Sequence, residues 1–99
     1  MFTIMLRYHV PLEKIDELKA DHLRHVDRQV EAGVFLLGGR LVPRTGGFIL
    51  ADGTDRAELE RILEADPFVS SGSATYEITE FAPTKANGDL VSALGISLP

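Results

Sequence analysis

The stretch FTIMLRYH, residues 2–9, decides the fold, because its apolar side chains fall at every second position. This period of two is typical of a strand with one apolar face and one mixed face. The stretch SATYEITEF, residues 73–81, alternates in the same way, and Pro83 follows it. We therefore expect a half-buried strand at the start of the domain and another at its end.

Two helical patterns lie between these strands. In the first, Pro11 suits the opening turn of a helix, and Gly33 offers a left-handed cap at the other end. Apolar positions recur between them at steps of three and four, which predicts a helix of about five turns. The positions of this stripe are Leu12, Ile15, Leu18, His22, Val26 and Val30.

The second helical pattern is shorter. Asp55 and Glu58 have the spacing of a capping box at its start. Asp66 closes its stripe, and Pro67 is expected to stop the helix. The apolar face consists of Leu59, Ile62 and Leu63.

The region between the two helices predicts a hairpin. Residues 34–42 and 48–51 are apolar runs, and the segment PRTGG, residues 43–47, separates them. The order of elements is βαββαβ. Right-handed crossovers and an antiparallel hairpin then favour a ferredoxin-like α+β fold, a four-stranded antiparallel sheet with two helices on one face. We assign this domain to residues 1–83.

The other face of this sheet is left uncovered. Its expected lining, too mixed for a buried core, is Thr3, Met5, Arg7, His9, Thr75, Glu77 and Thr79. A second copy could cover this face, so we expect a homodimer or a higher homo-oligomer. Residues 84–99 form a weakly patterned tail, which we expect to pack on a neighbouring subunit or on the edge of its own sheet.

Composition and charge exclude several classes of function. Ninety-nine residues, 44% of them hydrophobic, make one domain with no room for a separate cofactor domain. No apolar run is long enough to cross a bilayer, and the opening residues lack the pattern of a secretory signal, so we expect a cytoplasmic protein. The absence of cysteine removes thiol nucleophiles, disulfides and thiolate metal sites, and it fits the cytoplasm. A net charge of −5 with scattered basic residues argues against nucleic acid or membrane partners and favours a small molecule.

Two polar residues stand where apolar ones are expected, and they are the best candidates for chemistry. His22 lies inside the first stripe, whereas His25 lies at its polar margin. If the second helix runs antiparallel beside the first, its end brings Asp66 close to His22. A carboxylate there would fix the tautomer of the imidazole and orient it as an acid or base. The alternatives are a structural core histidine and an ordinary turn residue before Pro67.

Basic residues after a pair of glycines are candidates for substrate binding. Arg40 and Arg44 lie at the end of the second strand and in the loop that follows. A guanidinium there suits a carboxylate or phosphate of a small substrate, although two solvated hairpin arginines are the alternative. Tyr8, His9 and Ser70 could add hydrogen bonds to the same substrate.

A metal site is a third possibility. His22 and His25 lie on adjacent helical positions, and His9 or Asp66 could complete a divalent site. The pattern is weak, because metal sites without cysteine usually show three clearly spaced ligands. Phosphate-loop and dinucleotide fingerprints are missing as well, so we expect neither a metal nor a cofactor.

The sequence resembles the YciI-like family of small ferredoxin-like proteins. The motifs that carry the resemblance run from about Met1 to Pro83. They are the opening FTIML, His22-Leu23, the stretch GVFLLGG of residues 33–39, Asp66-Pro67-Phe68-Val69, Gly72, and the closing YEI and FAP of residues 76–78 and 81–83.

The resemblance implies a dimeric α+β barrel, in which two sheets face one another, with a catalytic His-Asp pair in a cleft. Carried over, this pair is His22 and Asp66. Related barrels include muconolactone isomerases, and one YciI-like protein is similar to a dehydrochlorinase of chlorinated hydroxyquinols. Many relatives have Gly-Pro where this chain has Gly39-Arg40, and the added charge favours an anionic ligand.

The expected function is therefore acid/base chemistry of the lyase or isomerase type on a small, oxygenated, anionic compound. The alternative is a non-catalytic oligomeric module that binds a small ligand or regulates a partner protein. In that case His22 and Asp66 form a structural pair.

Overall fold

The computed structural model describes residues 1–99 and contains four strands and four helices. In chain order they are β1 (Phe2–Tyr8), α1 (Leu12–Glu31), β2 (Phe35–Arg40), β3 (Gly46–Ala51), α2 (Arg56–Glu64), α3 (Pro67–Ser70), β4 (Ala74–Glu80) and α4 (Gly88–Leu94). All neighbouring strands are antiparallel, in the order β2-β3-β1-β4. This confirms the predicted ferredoxin-like βαββαβ arrangement.

The apolar face of the sheet forms the main core. Phe2, Ile4 and Leu6 alternate along β1 and are at most 3% exposed. Leu59 and Leu63 of α2 are fully buried in the same cluster. Each such side chain contributes about 1.5–3 kcal/mol through removal from water, which is why the period of two in β1 determines the face that the helices cover.

Local chemistry sets several of the predicted element boundaries. Asp55 caps α2 by accepting a hydrogen bond from the backbone N–H of Glu58 at 2.8 Å. This is half of the predicted capping box, because the Glu58 carboxylate accepts from Arg61 instead of from the Asp55 N–H. Gly33, one residue beyond the cap of α1, has a φ of 78°, a conformation that glycine adopts without steric cost. The prediction for Pro67 was incomplete, because this proline begins the short helix α3 instead of only ending α2.

The stripe of α1 is exposed at both of its ends. Leu12 and Val30, at its ends, are 42% and 48% exposed, whereas Ile15 is fully buried. The reason is length: a helix of 20 residues spans about 30 Å, but strands of six or seven residues span only about 20–23 Å. The ends of α1 therefore extend beyond the sheet.

The second face of the sheet carries no helix. The register pairs Met5 with Phe48, Thr3 with Leu50, and Leu50 with Leu37, so these side chains share that face. Leu37 is 55% exposed. We call this surface the open face.

The tail contains an element that the sequence pattern did not predict. Asn87 caps α4 by accepting from the backbone N–H of Asp89 at 2.9 Å. None of the residues in α4 is buried, and Leu90 is 46% exposed. Packing of this tail on a neighbouring subunit stays a prediction. No helix in the structure combines the length and the apolar character needed to span a bilayer.

Candidate active site

A cleft of about 230 Å³ opens between α1 and the β2–β3 half of the sheet. Lys19, His22 and Leu23 of α1 form one wall, and Gly38 and Gly47 contribute to the floor. The register places these glycines beside the core-facing Ile49 and Leu6, on the side of the sheet that α1 covers. Side chains there would fill the space under the helix, so the two glycines leave room for a ligand.

His22 and Asp66 are hydrogen-bonded to each other; His22 lines this cleft, whereas Asp66 is buried and does not. The Nδ1 atom of His22 lies 2.8 Å from Oδ2 and 3.0 Å from Oδ1 of Asp66. A carboxylate only accepts hydrogen bonds, so Nδ1 carries the proton and donates it. The Asp66 side chain is 1% exposed and that of His22 is 14% exposed.

The backbone around Asp66 explains why its carboxylate points at His22. Asp66 is the N-cap residue of α3, and its Oδ1 accepts a hydrogen bond from the N–H of Phe68 at 2.8 Å. The sequence Asp-Pro-Phe thus builds a short helix whose capping side chain is locked in place. Because the cap fixes its position, the Asp66 carboxylate can hold the His22 imidazole in one orientation.

Aromatic packing fixes the plane of the His22 ring. The ring stacks on Phe68, with centroids 3.9 Å apart and an interplanar angle of 12°. Tyr8 meets the other ring, Phe68, edge-on at 5.7 Å. The Nε2 atom of His22 has no hydrogen-bond partner in the protein. Every buried polar side-chain atom does have a partner, so Nε2 is not buried and is open to the cleft.

The charged residues that line the cleft are all basic. They are Lys19 of α1, Arg40 at the end of β2 and Arg44 in the β2–β3 loop. Arg44 forms an ion pair with Asp16 of α1. The hydrogen bond to Asp16 raises the pKa of Arg44, with a further contribution from Tyr8, and the same hydrogen bond lowers the pKa of Asp16. The cleft therefore offers positive charge to a ligand.

The predicted substrate-binding residues separate into two groups. Tyr8 and Arg40 line the cleft, whereas His9 and Ser70 do not. His9 donates to or accepts from Oγ1 of Thr75 at 2.6 Å, because its position in the strand alternation places it on the side of the open face. Ser70 is exposed at the end of α3. A role of His9 and Ser70 in substrate binding therefore stays a prediction, and neither is part of the site proposed below.

The relative burial of the two helical histidines also differs from the prediction. His25, placed by the helical wheel at the polar margin, is 6% exposed, and its Nε2 donates to the carbonyl of Ile62 at 2.8 Å. His22 is the more accessible of the two. The cause is the surroundings of each ring: His25 is bonded to α2, whereas His22 lines the open cleft.

The structure does not assemble the metal site considered from the sequence. His9, His22 and His25 each pair with a different partner, and no group of three or more His, Asp or Glu side chains is placed to hold an ion. Three residues around the site were missed by the sequence reasoning, namely Lys19, Asp16 and the ring-stacking Phe68. Lys19 lies three residues before His22 on α1, a spacing that puts both on one face of the helix and could have found Lys19. No sequence signal points to Asp16 or to the stacking role of Phe68.

The fold and the site thus define a class of protein: small ferredoxin-like domains that carry a His-Asp pair beside a cleft. The family model described as YCII-related domain matches residues 1–82. The chain therefore belongs to the YCII-related family, which confirms the resemblance stated above. No curated protein matches the chain.

The structure is similar to that of 5-chloro-2-hydroxyhydroquinone dehydrochlorinase (TftG) from Burkholderia phenoliruptrix AC1100 in complex with 2,5-dihydroxybenzoquinone. The TM-score is 0.69 at 19% sequence identity, and the match covers 83% of this chain and 94% of that one. At this identity the likeness establishes the shared fold.

Proposed function

We propose that this protein is a small acid/base enzyme in which His22, oriented by Asp66, moves a proton on a small anionic compound. One observation carries the proposal: a buried carboxylate holds Nδ1 of His22 at 2.8 Å while Nε2 stays open to a cleft. This arrangement presents the lone pair of Nε2 to a ligand. The residues present supply proton transfer by themselves, which contributes about 10²- to 10⁴-fold to a rate.

The proposed reaction begins with a proton at an acidic carbon of the ligand. Nε2 of His22 takes that proton, and the electron pair of the broken C–H bond moves into an enolate. Asp66 stabilises the imidazolium that forms. In an isomerase the imidazolium returns the proton to a different atom of the ligand. In a lyase the enolate expels an anionic leaving group, and the imidazolium gives its proton to that group or to water. The geometry is compatible with both outcomes.

The cleft supports a substrate class. An apolar cavity of about 150 Å³ accommodates benzene, so a cleft of about 230 Å³ suits one substituted ring. Half of its lining residues are hydrophobic and its charged residues are basic. The ligand named for the similar structure, 2,5-dihydroxybenzoquinone, is one ring with acidic hydroxyl groups. A single-ring, oxygenated anion is the substrate class that we propose here.

Turnover of a panel of such compounds tests the proposal. The panel includes 5-chloro-2-hydroxyhydroquinone, unsaturated lactones and hydroxylated benzoates, each followed by its absorbance change. For any compound that is turned over, His22→Asn should abolish the reaction while the protein stays folded, and free imidazole should restore part of the activity of His22→Gly. Wild-type turnover by His22→Asn would refute the proposal.

A second function has one observation in its favour. Asp66 caps α3 whether or not His22 reacts, so the pair could be retained for structure alone. The protein would then be a ligand-binding or regulatory module. Breaking a buried charged pair would cost about 3–5 kcal/mol in unfolding free energy, and no compound in the panel would be turned over.

We further propose that two copies associate through the open face. Met5, Phe48, Leu50 and Leu37 form an apolar surface there, and such a surface on a small domain usually marks a contact with another protein. A homodimer would place two sheets face to face. Sedimentation should give the mass of a dimer for the wild type and that of a monomer for Leu37→Glu; a monomeric wild type would contradict the proposal.

A further inference from the structure

The three basic side chains that line the cleft differ in exposure and in ion pairing. Arg40 is exposed and has no ion-pair partner, and Lys19 likewise has none. The Arg44 side chain is only 25% exposed and is tied to Asp16 of α1. Arg44 therefore gives up less side-chain entropy than the other two when it binds a ligand.

The hydrogen bonds of Arg44 leave donors available. Its Nη2 atom donates to a carboxylate oxygen of Asp16, and Tyr8 also interacts with the guanidinium. A guanidinium has five N–H donors, so these two neighbours leave some of them available to a ligand. A guanidinium can offer two parallel N–H groups to one carboxylate, and such bidentate pairs are among the strong hydrogen bonds of proteins.

The position of Arg44 relative to His22 suits a ligand with one ring. The partner of Arg44, Asp16, lies six residues before His22 on α1, which corresponds to about 9 Å along the helix axis. Both Arg44 and His22 line the cleft. An oxyanion at Arg44 would thus leave the far side of the ring at Nε2 of His22.

We propose that Arg44, held by Asp16, is the anion-binding residue of the cleft and restricts its ligands to single-ring carboxylates and phenolates. This inference deepens the proposed function, since it uses the same cleft, but it concerns binding and can be tested without turnover. Arg44 recognises the oxyanion, and His22 reaches the ring.

Calorimetric titration with benzoate and with its neutral analogue benzamide tests the inference. Wild-type protein should bind benzoate at least about tenfold more tightly than benzamide, the scale of one charge-assisted hydrogen bond. Arg44→Gln should weaken benzoate binding about 10- to 100-fold and leave benzamide binding unchanged. Arg44→Lys keeps the charge but loses the planar guanidinium, so its affinity for benzoate should lie between those of the wild type and Arg44→Gln.

The matched control is Arg24→Gln. Arg24 also forms an ion pair with a carboxylate of α1, Asp21, but it lies outside the cleft. This variant should bind benzoate like the wild type. The inference is overturned if Arg44→Gln keeps the wild-type affinity for benzoate, if wild-type protein does not prefer benzoate to benzamide, or if Arg40→Gln removes the preference instead.

The two proposals fail separately. Unchanged benzoate affinity in Arg44→Gln removes the anion site and leaves the acid/base role of His22 intact. Conversely, a preference for benzoate that depends on Arg44, combined with full turnover by His22→Asn, keeps the anion site and removes the proposed reaction.

Discussion

Replacing Asp66 by asparagine should separate the structural and chemical roles of this carboxylate. An asparagine oxygen can still accept from the N–H of Phe68, so the cap of α3 is kept. The amide NH₂ then faces Nδ1 of His22, where a donor would meet a donor. The imidazole relieves the conflict by moving its proton to Nε2, and Nε2 is then no longer a base.

The expected magnitudes follow from these contacts. A carboxylate-to-amide change behind a catalytic histidine lowers kcat by about 10⁴-fold, and we expect a fall of this size in Asp66→Asn. The loss of one charge-assisted hydrogen bond costs about 1.5–3 kcal/mol in unfolding free energy. For a domain of this size, such a loss lowers the Tm by about 6–24 °C.

The assay is turnover of a compound found in the panel, measured well below the Tm of every variant, with thermal unfolding followed by circular dichroism. Asp55→Asn is the matched control, because Asp55 is also an N-cap aspartate but is exposed and lies away from the cleft. It should keep wild-type kcat and change stability by less than about 0.5 kcal/mol. If Asp66→Asn loses stability as expected but keeps wild-type kcat, Asp66 has only a structural role.

Three further outcomes are expected. Gly46→Ala should destabilise the fold by about 3 kcal/mol or more in denaturant unfolding, because its Cβ would lie 1.8 Å from a backbone oxygen of β1; Gly39→Ala, with nothing within 4 Å, should be nearly neutral. His25→Ala should lose about 2–4 kcal/mol in the same assay, since it leaves a cavity and an unpaired carbonyl of α2, and a neutral result would refute its structural role. Arg44 lowers the pKa of Asp16, so their ion pair stabilises the fold above about pH 4, and this stabilisation is lost as the pH falls through the folded pKa of Asp16. The Tm difference between the wild type and Asp16→Asn should therefore shrink from pH 6 to pH 3. A difference that stays constant would contradict this.

Much of the fold follows from local patterns because the patterns agree with one another. The alternation in residues 2–9 and 73–81 gives β1 and β4, and the capping residue Asp55 gives the start of α2. The strand after the hairpin was predicted to begin at Phe48 but begins at Gly46. Glycine carries little strand preference, so tertiary pairing with β1 decides that boundary.

The pairing of His22 with Asp66 was predictable, but its surroundings were not. A helical wheel treats all neighbours as equal, so it placed His22 deeper than His25. The packing partners reverse that order: His25 is buried and bonded to a carbonyl of α2, whereas His22 stacks on Phe68 and lines the cleft. The choice of Arg44 over Arg40 also depends on tertiary structure, because Asp16 is distant from Arg44 in sequence and meets it only in the fold.

Two-bond ¹H–¹⁵N NMR of His22 tests the central role of its imidazole most directly. In mildly alkaline buffer we predict a protonated Nδ1 and an unprotonated Nε2 in the free protein, because the Asp66 carboxylate accepts from Nδ1. Addition of 2,5-dihydroxybenzoquinone should shift the Nε2 resonance strongly, while the proton stays on Nδ1 and remains hydrogen-bonded to the Asp66 carboxylate. A proton on Nε2 in the free protein, or an Nε2 resonance that ignores a bound ligand, would contradict acid/base chemistry at His22.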